Sequence, residues 1–159
     1  MTDLPLDVCA ALADALRARG WRMASAESCT GGLVAASCTA LAGSSDWFER
    51  GWVTYSNLAK TTELGVDAAQ IAAHGAVSEA VAHAMAMGAL AHASAHCALS
   101  VTGVAGPGGG SAAKPVGTVW FGWATPQGVS TERLLLPGDR SAVRLAATRH
   151  ALAGLLRRL

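Results

Sequence analysis

Trp21-Arg22-Met23-Ala24-Ser25-Ala26-Glu27-Ser28-Cys29-Thr30-Gly31-Gly32 is the stretch on which the fold turns. Trp21 to Ala26 reads as a short strand and Glu27 to Thr30 as a polar turn. Gly31 to Leu41 then reads as a helix, broken by the loop Gly43-Ser44-Ser45. The same grammar extends outward. Val8, Leu12 and Leu16 form one apolar stripe on a helix from about Asp7 to Arg19, closed by Gly20. A second strand, Gly51 to Tyr55, runs into a helical segment around Lys60, and Asp67 to Ala73 predicts another short helix. Ser78 has the chemistry of an N-cap for a long helix reaching about Ala95. Cys97 to Val101 is an apolar strand that empties into the glycine-rich run Thr102 to Gly110. Val116 to Ala124 and Val129 to Leu136 predict a strand pair joined at Pro126-Gln127-Gly128, and a closing helix starts near Asp139. Helices alternate with buried strands until the late hairpin. The expected fold is α/β: one domain over residues 1–159, with a mixed, mainly parallel sheet, a late antiparallel hairpin and helices on both faces in three α/β/α layers.

Composition narrows the function classes. Hydrophobic residues make up 52% of the 159 and charged residues 14%, against roughly a quarter charged in ordinary soluble domains. So little charge predicts a homo-oligomer, dimer or larger, although a chain rich in alanine accounts for part of the figure without a partner. Net charge is +1 with no basic stripe, which speaks against nucleic acid. Cys9, Cys29, Cys38 and Cys97 show no C-x-x-C spacing and read as reduced thiols of a cytoplasmic protein. No charged residue occurs from Ala80 to Ala113, but alanine, three histidines and a Gly-Pro-Gly cluster are not the content of a membrane span. Asp3, Asp7 and Asp14 stand where an export signal would be basic and then apolar.

Three polar segments each follow a predicted strand: Glu27 to Gly32, Tyr55 to Lys60, and Thr102 to Gly110. If these strands run parallel, all three meet at the carboxyl edge of the sheet, where α/β proteins bind ligands. Ser28 sits on a strand-to-helix turn. The N–H groups that follow, those of Cys29, Thr30 and Gly31, suit an oxyanion, but the same pattern also describes a plain N-cap. G-x-S-x-G is absent, and Cys29 is a rival nucleophile without an identifiable base. Only Lys60 and Lys114 among the 12 basic residues are lysines. Surface charge is supplied here by arginine, whereas a desolvated lysine can lose a proton and act as a base. An exposed helix lysine remains the alternative for Lys60, and Lys114 suits phosphate or solvent. Tyr55, the only tyrosine, can relay a proton or merely bury a ring. The run containing Gly103, Gly106 and Gly108 can cradle an anion with backbone N–H groups or serve as a flexible turn. His92 and His96 have metal-pair spacing, but no carboxylate completes a site, so no metal is expected.

Ala26 to Gly32, Gly43-Ser44-Ser45 with Trp47-Phe48, Val53 to Asn57 with Ala59-Lys60, Gly75 to Ser78, Thr102-Gly103 with Ala105-Gly106-Pro107, and Lys114 to Val119 together resemble the CinA C-terminal domain family. Its enzymatic members are nicotinamide-nucleotide amidohydrolases. The resemblance implies hydrolysis of nicotinamide mononucleotide to nicotinate mononucleotide and ammonia without metal or redox cofactor. It implies Ser28 as nucleophile, Lys60 as its base, Tyr55 and Thr102 as partners orienting the pair, and Arg140 as a substrate contact. Longer relatives carry an additional N-terminal nucleotide-processing domain, and the chain looks like the stand-alone form. Some relatives lack the catalytic residues, which makes a non-catalytic nucleotide-binding protein linked to competence or DNA damage the competing reading.

Overall fold

The computed structural model describes residues 3–159. Its strands are β1 (Met23–Glu27), β2 (Phe48–Val53), β3 (Cys97–Gly103), β4 (Thr118–Thr125) and β5 (Gly128–Leu135). Its helices are α1 (Leu6–Arg19), α2 (Leu33–Thr39), α3 (Asn57–Leu64), α4 (Ala68–His74), α5 (Glu79–His92) and α6 (Arg140–Arg157). The five strands form one sheet in the order β2-β1-β3-β4-β5. β1 is parallel to both β2 and β3, and β4 is antiparallel to β3 and β5. The chain therefore adopts the expected three-layer α/β/α class, with the parallel part first and the hairpin last.

Alternation along the strands divides the core in two. Met23, Leu99, Val101, Val119, Phe121 and Trp123 face the layer of α1, α2 and α6, where Leu12, Leu16, Ala147, Leu152 and Leu155 complete a thick cluster. Ala24, Ala26 and Ala98 face α5, where Val81, Met85 and Ala89 meet them. The second side is built for close approach. Ser100 Oγ donates to Ala82 O at 2.6 Å. A β-carbon on Gly122 would lie 2.6 Å from the same carbonyl oxygen, and one on Gly88 would lie 2.1 Å from Leu64 O. Much of the alanine in the composition is spent here, bringing helix backbone down onto sheet backbone.

Element boundaries shift modestly from the sequence reading. β2 begins at Phe48 rather than Gly51, because the glycine sits inside the strand, where a β-carbon would come within 2.7 Å of Ser25 Oγ. α5 stops at His92 instead of Ala95: Ala93 is already extended at φ −105°, ψ 153°. The uncharged run from Ala80 to Ala113 is α5 followed by β3 and its glycine loop. Among the described residues, no helix is long and apolar enough to cross a membrane. His92 and His96 turn to separate partners, Gly88 O and the Arg22 N–H, and His96 stacks on Trp21. All four cysteines are free and buried.

Candidate active site

Register brings the polar segments together. Glu27 pairs with Val53 on one side and Val101 on the other, so β1 and β2 end level while β3 runs two residues further, to Gly103. The ladder then continues one residue further: Ser28 N–H donates to Val101 O at 2.9 Å, and Thr54 N–H to Glu27 O at 2.8 Å. Successive crossovers from β1 leave on opposite faces, which opens a crevice at the carboxyl ends of β1 and β3. A cleft of about 310 Å³ occupies it.

Ser28 and Lys60 meet at the cleft floor. Lys60 Nζ lies 2.9 Å from Ser28 Oγ, and it donates to Thr54 O at 2.7 Å and Tyr55 O at 3.4 Å. Helical side chains lean toward the helix N-terminus, so from the first turns of α3 the Lys60 stem reaches back to these strand-end carbonyls. Ser56 starts that helix by accepting the Ala59 N–H at 3.0 Å. Lys60 is 1% exposed, and burial pulls its amine below the ordinary lysine range, while the neighbouring Cys29 thiol weakly opposes the shift. The exposed-lysine alternative is therefore excluded. Cys29 lies beside Ser28 in the cleft wall, but burial pushes its thiol up to about 11.

The turn carrying Ser28 is held from two sides. Glu27, fully buried, accepts the Thr30 hydroxyl at 2.6 Å and the N–H groups of Gly32, Val34 and Ala35 at 3.2, 2.9 and 3.1 Å. It thereby caps α2 with a full negative charge at the positive end of the helix. From α6, Arg144 donates through Nε to Cys29 O at 3.1 Å and through its terminal nitrogen to Thr30 O at 3.2 Å. Gly31 N–H closes onto Ser28 O at 3.0 Å. Among the described residues, the N–H groups of Cys29 and Thr30 have no partner. The N-cap role conceivable for Ser28 falls to Glu27 instead.

The other sequence candidates are distributed unevenly. Thr102 lines the cleft, but its hydroxyl donates to Ala76 O at 2.9 Å rather than to the Ser28–Lys60 pair. Tyr55 is 61% exposed at the mouth, and its hydroxyl accepts from Arg140 at 3.0 Å. The main-chain carbonyls of Thr54 and Tyr55 are what the Lys60 amine contacts besides Ser28. Arg140 also donates to Gly106 O at 2.8 Å, bridging the mouth from α6 to the glycine loop. Gly103, Gly106 and Gly108 all line the cleft. The first two are glycines for packing reasons, since a β-carbon would lie 2.7 Å from Val119 Cγ2 and 2.4 Å from Val116 Cγ1 respectively. Gly108 has nothing within 4 Å of that position and is open to a ligand. Thr30 and Gly31 stay behind the cleft wall, with Thr30 turned into Glu27. Lys114 is tied to His74 O at 2.5 Å.

Glu27, Arg144 and the cleft residue Asn57 had no role in the sequence reading. An acid at the end of a strand, a short turn ahead of a helix, was a legible signal for Glu27. Arg144, in the middle of a helix, offered none. Replacing Glu27 by Ala removes every acceptor from one hydroxyl and three helix N–H groups, and leaving buried donors unsatisfied costs about 1–3 kcal/mol each, partly recovered by water. We expect Glu27→Ala to lower unfolding free energy by about 3 kcal/mol or more, and Glu27→Gln by about half that. Urea titration with an unchanged m-value checks this; a loss under 1 kcal/mol for Glu27→Ala would contradict it.

Known proteins resemble this chain in sequence and in fold. Nicotinamide-nucleotide amidohydrolase PncC of Enterobacter agglomerans is 53% identical over 144 residues, covering 90% of this chain and 88% of the relative. The protein of the same name from Escherichia coli K12 is 54% identical over 139 residues, 87% of this chain and 84% of its own length. The crystal structure of the competence/damage inducible protein CihA from Agrobacterium tumefaciens superposes with a TM-score of 0.95 at 41% identity, covering 99% of this chain and 98% of that one. The family model of the CinA C-terminal domain matches residues 6–159, and the chain belongs to that family.

Proposed function

We propose that the chain is a nicotinamide-nucleotide amidohydrolase, converting nicotinamide mononucleotide and water to nicotinate mononucleotide and ammonia through an acyl-enzyme on Ser28. The observation that carries this is the 2.9 Å contact between Ser28 Oγ and a buried Lys60 amine. A neutral amine has two N–H bonds and one lone pair. Thr54 O and Tyr55 O take the two N–H groups, so the lone pair is left facing the serine hydroxyl. The names of the similar enzymes above supply the substrate.

In the first half-reaction Ser28 Oγ bonds to the carboxamide carbon, its proton passes to Lys60, and the carbonyl π-electrons move onto oxygen. The free N–H of Cys29, the residue beside Ser28 that lines the cleft, meets that oxyanion. Collapse breaks the C–N bond, and Lys60 returns its proton to the departing nitrogen, which leaves as ammonia. Water then repeats the sequence: its proton goes to Lys60, its oxygen bonds to the acyl carbon, and the Ser28 ester breaks with the proton restored. Cys29 is a poor rival, because a thiol titrating near 11 is ionised in only about one molecule in ten thousand at pH 7. The substrate phosphate is assigned to the open N–H groups around Gly108 and to Arg140, whose guanidinium retains donors beyond those given to Gly106 and Tyr55.

Ammonia release from nicotinamide mononucleotide is the direct test. Ser28→Ala should lower it by about 10³-fold or more with the fold and nucleotide affinity intact, while Cys29→Ala keeps most activity. A wild-type protein that binds the nucleotide but releases no ammonia would contradict the assignment.

The pH dependence follows from Lys60. Burial lowers its value, so the neutral, active amine accumulates as pH rises, and kcat/KM should climb through a midpoint below the ordinary lysine value of ~10.4. Arginine keeps charge but cannot supply the lone pair. Lys60→Arg should thus lose about 10²-fold or more in kcat/KM and lose the rising limb; near-wild-type turnover would assign the base elsewhere. Nicotinamide riboside, without the phosphate, should show at least about tenfold lower kcat/KM, one phosphate hydrogen-bond set being worth more than ~1.4 kcal/mol. Equal values for riboside and mononucleotide would remove the phosphate assignment.

A further inference from the structure

We infer that Arg144 is a positioning residue that aims and polarises the oxyanion N–H of Cys29 from behind the turn. The inference rests on the reading of Ser28 as nucleophile. It starts from the planarity of the trans peptide, in which C=O and N–H point in opposite directions, so fixing the carbonyl fixes the N–H. Arg144 Nε holds Cys29 O at 3.1 Å, and the same peptide ends in the unpaired Thr30 N–H. The terminal nitrogen of Arg144 holds Thr30 O at 3.2 Å, and that peptide's N–H, from Gly31, donates to Ser28 O at 3.0 Å. The Ser28–Cys29 peptide then ends in the unpaired Cys29 N–H, at a residue that lines the cleft. Thr30 is fully buried, so the donor that reaches the cleft is the Cys29 N–H, which the guanidinium addresses through two peptides joined by a hydrogen bond.

A cation at the carbonyl end of such a chain draws electron density away from the N–H end and strengthens it as a donor. Arginine suits the position because it carries two parallel donors and cannot lose its charge at working pH. Gly31 makes the approach possible. Its φ is +58°, and a β-carbon there would sit 3.1 Å from the Arg144 terminal nitrogen. Arg144 is not itself one of the residues lining the cleft and acts only through the peptides.

Two reactions separate this inference from the choice of substrate. The first is ammonia release from nicotinamide mononucleotide; the second is acylation of Ser28 by p-nitrophenyl acetate, which also develops an oxyanion but needs no nucleotide site. Arg144→Met should lower kcat for the first and the acylation rate in the second by about 10- to 100-fold, with KM for the mononucleotide within about threefold of wild type. Arg144→Lys, which keeps the charge and loses the fork, should fall between. Should the Met variant fail to fold by circular dichroism, the Lys variant and an Arg144→Ala variant assayed with millimolar guanidinium carry the same test, the added cation restoring at least about fivefold of the lost rate. Acylation within twofold of wild type in a folded Arg144 variant, a loss that falls on KM alone, or no response to guanidinium would each overturn the inference. A wild-type enzyme that acylates but releases no ammonia would retire the substrate and leave Arg144 to be judged on the ester. Absence of acylation in the wild type would overturn both.

Discussion

A buried amine that lacks a carboxylate partner must find neutral acceptors, and that requirement organises this molecule. Among the described residues, Lys60 joins no ion pair, and the oxygens it reaches are those of Thr54, Tyr55 and Ser28. Two of these exist only because β2 stops hydrogen bonding where it does and the chain turns into α3. The amine can reach them only because Ser56 starts the helix close enough for a lysine stem to fold back. Gly65 ends the same helix in the left-handed region at φ 71°, and Val66 N–H returns to Lys60 O, fixing the backbone from which the side chain springs. An ion pair would have held the lysine more strongly and kept it protonated. Carbonyls hold it while letting the proton leave.

The two faces of the sheet play different parts. On the α6 side the interior is bulky, with Trp123 donating to Ala151 O at 2.9 Å and a glycine at 154 where a β-carbon would fall 2.1 Å from the ring. On the α5 side, alanines and glycines let the helix settle nearly onto the strands. Close packing of small residues loses little side-chain entropy on folding and leaves little slack, which suits a sheet edge that must hold Ser28 and Thr102 at fixed separation. The low charge content reflects this interior.

Much of the fold was legible because the first two strands each ran into a helical segment and the late Pro126-Gln127-Gly128 turn marked a hairpin. Parallel pairing alone then brought Ser28, Lys60 and Thr102 to one edge, and the rarity of lysine singled out Lys60. What the sequence did not reveal was carried by groups without a pattern. Main-chain carbonyls contact the amine, whereas the resemblance named Tyr55 and Thr102 as its partners, and their hydroxyls go to Arg140 and Ala76. Arg144 and its partners Cys29 and Thr30 are more than a hundred residues apart and meet through α6 packing, which no local window contains. Boundaries drifted where tertiary contact overrode a breaker, as at Gly51 inside β2.

Arg140 and Arg144 lie four positions apart on α6, so one face of one helix reaches both the mouth of the cleft and the back of the Ser28 turn. An α-helix advances about 1.5 Å and rotates about 100° per residue, so deleting a single residue between the two would swing one of them off its target. The glycine loop is exposed from Gly108 to Ala113 and is pinned within itself, at Gly110, where a β-carbon would lie 2.9 Å from Val116 N, and at Ser111, whose N–H donates to Lys114 O at 2.9 Å. The first turns of α6 can change composition but not length without parting the mouth of the cleft from the back of the turn.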